Sequence, residues 1–148
     1  FMQGLIFLII AAGAGVLMAI QGSLNSALSK VIGVLEGNFI LHAVGLLIVV
    51  IMLFVLGLGK GDLNAVDKAP WYLYLGGVIN VAIIYGVMLS IAKTGAGVAT
   101  TAIITGQLAM SLVIDQFGLF GLDKVPMSWG RGIGLVLMAI AAKLLLGK

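Results

Sequence analysis

The stretch that decides the fold reads VATTAIITGQLAMSLVIDQFGLFG and runs from Val98 to Gly121. It is apolar and long enough to cross a bilayer, which takes about 20 helical residues. Four of its polar side chains, at about 100° per residue, fall within an arc of roughly 80° on one helix face. These four residues are Thr100, Gln107, Ser111 and Asp115. Lipid does not favour such a stripe, so it predicts a helix that lines a solute path or a protein interface.

The composition of the whole chain indicates that the lipid bilayer is its solvent. Of the 148 residues, 62% are hydrophobic and 9% are charged, whereas a soluble domain carries about 25% charged residues. The chain has no cysteine, and its net charge of +3 is scattered. It therefore predicts no disulfide framework and no nucleic-acid partner, because nucleic-acid binding requires a clustered basic face. The N-terminal apolar run has no basic flank and predicts a spanning helix rather than a signal peptide.

Five apolar segments predict an all-α integral membrane bundle that forms a single five-span domain over residues 1–148. The predicted spans are roughly 4–28, 38–58, 71–91, 98–117 and 132–146. The first connection is predicted to be a short loop that begins near Gly33 and contains Glu36, and the third to be a tight link at Gly95. Glu36 and Asn38 are candidate caps of the second helix.

The basic residues of this topology are balanced between the two membrane faces. One face receives Lys60, Lys68, Lys124 and Arg131, and the other receives Lys30, Lys93, Lys143 and Lys148. Orientation normally follows an excess of Lys and Arg in cytoplasmic loops. The balance leaves two interpretations. Either a determinant outside the sequence sets one orientation, or the chain inserts both ways and two copies form an antiparallel homodimer, which imitates the inverted repeats of larger transporters.

Polar side chains in two other helices, and Gln107 of the fourth, are candidates for contact with a solute. Gln21 and Asn25 are four residues apart in the first span and are predicted to share one face, while Asn80 lies near the middle of the third span. Gln107 lies near the middle of the fourth, at the depth where transporters bind their solutes. The alternative for each amide is a hydrogen bond between helices, which is worth about 0.6 kcal/mol on average in membranes.

Two titratable residues are candidates for gating or proton coupling. His42 is the single histidine and could carry a proton near neutral pH or could be a packed, hydrogen-bonded side chain. Asp115 lies near the end of the fourth span, where it could gate the path or rest at the headgroup boundary. A lone histidine makes no metal site, and GLGKGD (Gly57–Asp62) lacks the spacing of a phosphate loop. We therefore expect no metal, no cofactor and no enzymatic activity.

Three stretches resemble the YdcZ family of the drug/metabolite transporter superfamily. They are GQLAMSLVIDQFGLFG (Gly106–Gly121), QGSLNSALSKVIGVLEGNF (Gln21–Phe39) and PWYLYLGG (Pro70–Gly77). The resemblance implies a small, five-helix, multi-pass protein of the bacterial inner membrane. It also implies an inverted dimer, since the family includes dual-topology members, paired genes and fused two-domain forms. It implies a class of transported solute without naming one.

Together these observations predict a transporter of a small polar metabolite or drug-like solute that works by alternating access between two inverted subunits. No acid lies at the middle of any span, so the interior favours a neutral or zwitterionic solute. Two alternatives remain open, namely a channel lined by the same stripe and a membrane assembly subunit without transport.

Overall fold

The computed structural model describes the backbone of residues 2–147 and the side chains of residues 4–147. Within these residues the chain is all-α and has no strand. Its helices are α1 (Met2–Ile32), α2 (Val34–Val50), α3 (Leu75–Thr94), α4 (Ala96–Phe117) and α5 (Trp129–Leu146). Each of the five provides a segment long and apolar enough to cross a membrane. The prediction of five spanning helices is confirmed; the end residues of the predicted single domain, Phe1 and Lys148, lie outside the described residues.

The first connection is shorter than the sequence predicts. α1 continues to Ile32 and α2 begins at Val34, so Gly33 alone separates the two helices. Its φ of 99° and ψ of 157° lie in a region that only glycine adopts without strain. Glu36 is therefore in the first turn of α2, where its negative charge stabilises the helix dipole. The predicted loop around Glu36 was wrong because one glycine suffices to reverse the chain.

The third connection has the same construction. Gly95 separates α3 from α4 with a φ of 86° and a ψ of 159°, and its carbonyl accepts a hydrogen bond from the Ala99 amide at 3.1 Å. At the first connection, the Gly33 carbonyl accepts from the Gly37 amide at 3.0 Å in the same way. The predicted tight link at Gly95 thus reduces to one residue.

The second helix does not end abruptly. After Val50 the chain widens into a π-helical turn, Ile51–Val55, in which the Leu56 amide donates to the Ile51 carbonyl at 2.9 Å. The helical span therefore ends at Val55, three residues before the predicted position. Short 3-10 helices, Leu63–Lys68 and Trp71–Tyr74, complete the connection to α3.

The chain divides into two compact units, Phe1–Ala92 and Lys93–Lys148. In the first unit α1 packs against α2, and Met88 of α3 is fully buried. Its terminal methyl group lies 2.8 Å from where a Cβ on Gly37 would be, so the glycine makes room for this side chain. In the second unit α4 packs against α5.

Large apolar side chains cover the outside of both units. Phe7 and Leu8 of α1 are 69% and 68% exposed, and Trp129 at the start of α5 is 91% exposed. A soluble protein rarely exposes so much apolar surface to water. The hydrocarbon of a bilayer is the solvent that this surface requires.

Candidate functional site

The first unit contains a chain of hydrogen bonds that joins α2 to α3. The Nδ1 atom of His42 lies 2.9 Å from the backbone carbonyl oxygen of Asn38. On the other side of the ring, the Nδ2 atom of Asn80 lies 3.1 Å from the His42 Nε2 atom. Asn38 also donates from its Nδ2 atom to the Val81 carbonyl at 2.9 Å. We call Asn38, His42 and Asn80 the imidazole cluster.

The hydrogen-bond partners fix the tautomer of His42. A backbone carbonyl can only accept, so the Nδ1 atom must carry the hydrogen that points at Asn38. In the neutral ring the Nε2 atom then has a lone pair, which accepts from the Asn80 amide. The ring is thus held from two helices, and each of its nitrogens has a defined role.

The imidazole cluster lies well inside the membrane-spanning segments. Because α2 begins at Val34, His42 is more than two turns from the start of its helix, at about 3.6 residues per turn, rather than the one turn predicted. Asn80 lies close to the middle of the span Trp71–Thr94, as the sequence predicts. Asn80 is exposed and His42 is half-buried.

Asn38 is the residue of this cluster that sequence reasoning missed. The sequence predicts it as a helix cap, but Gly33 occupies the N-cap position of α2 and no side chain caps that helix. Asn38 is only 2% exposed, and its Oδ1 atom has no hydrogen-bond partner among the described residues. The available signal was its spacing of four residues from His42, which places both on one face of a helix.

The two amides of α1 differ in their surroundings. Asn25 is buried, with 5% exposed, together with Ser26 and Ser29, whereas Gln21 is exposed. The buried seam of α1 follows the spacing of Gly22, Asn25, Ser26 and Ser29. Gln21 lies about 100° from Gly22 around the helix and falls outside this seam. Gln21 and Asn25 are four residues apart and lie on one face of the helix, and the buried seam at the edge of that face includes Asn25 but not Gln21.

The polar stripe of α4 belongs to the second unit. Thr100 is half-buried, and Gln107 and Ser111 are exposed. The Ser111 hydroxyl donates to the Leu108 carbonyl at 2.9 Å, so it retains its acceptor capacity for another group. Gln107 lies at the middle of Ala96–Phe117, as predicted. Its amide is the one group of the stripe placed at mid-span.

Asp115 has a cationic partner that the sequence did not identify. Its Oδ2 atom lies 3.3 Å from the Arg131 Nη1 atom, and the two side chains are 39% and 36% exposed. The same Nη1 atom donates to the Val125 carbonyl at 3.2 Å, and the Val125 amide donates to the Asp115 carbonyl at 2.8 Å. We call Asp115, Val125 and Arg131 the α4–α5 clasp. It holds the loop between these helices, and an exposed ion pair of this kind contributes about 0–1 kcal/mol.

No group of three or more His, Cys, Asp or Glu side chains that could hold a metal ion occurs among the described residues. The expectations of no metal and no cofactor stay predictions.

The comparison with known families decides what kind of protein this is. Residues 6–144 match the DMT_YdcZ family, which is described as “Putative inner membrane exporter, YdcZ”. The chain belongs to the YdcZ family. The resemblance seen in its sequence is thus confirmed over nearly its full length. No curated protein and no solved structure matches it.

Membership of the YdcZ family agrees with the five spanning helices and makes the chain a multi-pass protein of the inner membrane. It also indicates a membrane transporter rather than an enzyme.

Proposed function

We propose that this protein is a carrier that moves a small polar solute across the inner membrane by alternating access between two inverted subunits. The observation that carries the proposal is the hydrogen bond between His42 and Asn80 at mid-span, 3.1 Å long and made without any charged partner. Polar groups at this depth are costly and are typically functional. Their neutrality favours a neutral or zwitterionic solute.

The residues proposed to contact solute are amides and hydroxyls of three helices. They are Gln21 and Asn25 of α1, Asn80 of α3, and Thr100, Gln107 and Ser111 of α4, with His42 and Asp115 proposed for gating or proton coupling. Asn80 and Gln107 are exposed and at mid-span in their own helices. This supports direct contact with solute more than a role confined to packing.

The antiparallel homodimer is supported by the distribution of basic residues. On one predicted face, Lys30, Lys93 and Lys143 each lie in the last turn of a helix, where a cation stabilises the helix dipole. Lys148, the fourth on that face, lies outside the described residues. The other predicted face also has four basic residues, Lys60, Lys68, Lys124 and Arg131. Neither face therefore has an excess of cations that would fix one orientation.

Transport itself is tested on purified protein. A thermal-shift screen identifies solutes that stabilise the protein, and each hit is then assayed for counterflow in liposomes. Saturable counterflow is expected of a carrier. Unitary currents would identify a channel, and failure of every hit to cross would favour an assembly subunit without transport.

The dual topology is tested by adding two lysines to one face of the chain. Each biased variant is expected to be inactive alone, and co-expression of the two oppositely biased variants should restore transport. Activity of a single biased variant on its own would overturn the inverted dimer.

A further inference from the structure

The imidazole cluster carries an inference about solute class and coupling that rests on the proposed carrier function. We infer that the Asn80 amide is a hydrogen-bond contact for the solute and that protonation of His42 reverses its polarity. With neutral His42, Asn80 presents its carbonyl oxygen and binds a solute that donates a hydrogen bond, such as a hydroxyl or an amine N–H. With protonated His42, Asn80 presents its NH₂ group and releases that solute.

The first step is the orientation of Asn80 beside the neutral ring. The Asn38 carbonyl keeps the hydrogen on Nδ1, so the Nε2 lone pair must accept from an N–H group. Asn80 supplies it from Nδ2 at 3.1 Å. Since the two ends of a planar amide point in different directions, the Asn80 Oδ1 atom is then turned away from the ring. Asn80 is exposed, so this acceptor is open to a solute.

The second step is the addition of one proton to the Nε2 lone pair. The new N–H would meet the N–H of Asn80, and two donors cannot share a hydrogen bond. Rotation of the Asn80 amide by 180° about its terminal bond resolves the conflict, because Oδ1 then accepts from the imidazolium. A hydrogen bond to a charged donor is about twice as strong as a neutral one. The NH₂ group now points where the acceptor was, and no other bond is made or broken.

The surroundings hold the ring while the amide turns. Asn38 is buried and anchored to Val81, the residue next to Asn80, by its own side chain. The Nδ1 contact to the Asn38 carbonyl is the same in both protonation states, so the ring does not need to move. Only the exposed Asn80 side chain changes its orientation.

The described groups packed around the ring add no competing charge. On α2 the nearest acid is Glu36, which is exposed and lies over Gly33 at the helix start. The side chains that α1 buries in this unit, Asn25, Ser26 and Ser29, are uncharged. On α3 the nearest titratable group is Tyr85, exposed and about 140° around the helix from Asn80. His42 is thus the group whose proton decides the orientation of Asn80.

Proton binding to His42 and solute release from Asn80 are coupled in opposite directions. A proton that reaches Nε2 removes the acceptor that held the solute, and the imidazolium also repels a cationic amine. Departure of the proton restores the acceptor. A donor-bearing solute would therefore be carried against protons, one proton entering the site as one solute leaves it.

Because His42 is the single histidine, ¹⁵N-histidine labelling reports on it alone. The protein, also labelled at asparagine nitrogens, is reconstituted in lipid and studied by NMR while the pH is lowered until the ¹⁵N shifts show both ring nitrogens of His42 protonated. In the neutral ring we expect hydrogen on Nδ1 and a through-bond N–N coupling between Asn80 and Nε2. In the protonated ring we expect that coupling to be lost.

Asn80→Leu should remove the coupling and leave the Nδ1–H tautomer, whereas the loop variant Asn64→Ala should keep both. An Nε2–H tautomer at high pH, or a coupling that survives protonation of the ring, would overturn the inference. These readouts need no solute, so they are independent of the liposome assay. A normal NMR switch with no counterflow would count against the carrier alone, and counterflow without the switch would count against this inference alone.

Discussion

The two polar clusters of the molecule differ in charge and in depth. The imidazole cluster contains no carboxylate, lysine or arginine, joins α2 to α3 at mid-span and includes a residue that is only 2% exposed. The α4–α5 clasp is an ion pair between side chains 36% and 39% exposed, placed where one helix ends and the next begins. The cost of charge within hydrocarbon explains this separation, since ions are tolerated near helix ends and neutral dipoles within the span.

Because of this difference, we expect the two clusters to have different roles. In the clasp, Arg131 donates hydrogen bonds to the Asp115 carboxylate and to the Val125 carbonyl. The clasp therefore stabilises the connection between α4 and α5. Among the described residues, the imidazole cluster contains a buried polar atom without a hydrogen-bond partner, Asn38 Oδ1, and its Asn80 side chain is exposed. Unused polar groups inside a membrane are the property expected of a solute site.

The largest effect on stability is expected from Met88→Ala, next to the imidazole cluster. Met88 is fully buried, and its removal leaves a cavity between α3 and Gly37 that costs about 2–5 kcal/mol. Unfolding in mixed micelles, followed by circular dichroism, measures the loss. Ile83→Ala on the exposed side of α3 is the matched control and should cost much less. Equal losses would mean that Met88 does not hold this unit together.

A smaller loss is expected from alanine at the glycines of the two connections. Gly33→Ala and Gly95→Ala both place a side chain in a glycine-only backbone region, at a cost of about 1–3 kcal/mol. The two losses should be similar, because the atoms nearest a Cβ at Gly33 belong to the Glu36 carboxylate, the end of a flexible and exposed side chain that can move away. Gly45→Ala, in a helix and in open space, controls for the added methyl group. The same unfolding assay compares the three variants, and a loss at Gly33 or Gly95 no larger than that at Gly45 would contradict this account.

Asn38→Leu is expected to lower the free energy of unfolding by only about 0.6 kcal/mol, and by no more than about 1.7. The substitution removes one hydrogen bond to Val81 but also removes a buried acceptor that has no partner. Transport should nevertheless decrease, because the register between α2 and α3 at the site is lost. Full activity together with a large loss of stability would make Asn38 a purely structural residue.

The smallest effect is expected at the α4–α5 clasp. Asp115→Asn should cost about 0–1 kcal/mol, since the ion pair is half-exposed, and a double-mutant cycle with Arg131→Gln should give a coupling energy below about 1 kcal/mol. Salt should reduce that coupling through screening. A changed maximal rate with an unchanged half-saturation concentration would place Asp115 at a gate. A coupling of several kcal/mol would mean that the pair is buried in the working assembly.

Periodicity within one helix was sufficient to predict the spans and the mid-span positions of Asn80 and Gln107. It could not predict contacts between helices, and for this reason both the Asn38–Val81 bond and the Asp115–Arg131 pair were missed. The helix ends near Gly33 were misplaced because a glycine with positive φ reverses the chain without a loop. Gln21 was grouped with Asn25 because spacing by four residues predicts a shared face but not which neighbours bury it.

The central claim is that the imidazole cluster at mid-span binds the transported solute. Counterflow in liposomes tests it most directly, with a solute from the thermal-shift screen and equal amounts of the Asn80→Leu and Asn64→Leu variants. Both substitutions replace an asparagine by leucine, but Asn64 bonds to Asp62 in the connecting loop. Loss of saturable counterflow in Asn80→Leu, with wild-type counterflow in Asn64→Leu, is the predicted result. Wild-type counterflow in Asn80→Leu would contradict the account.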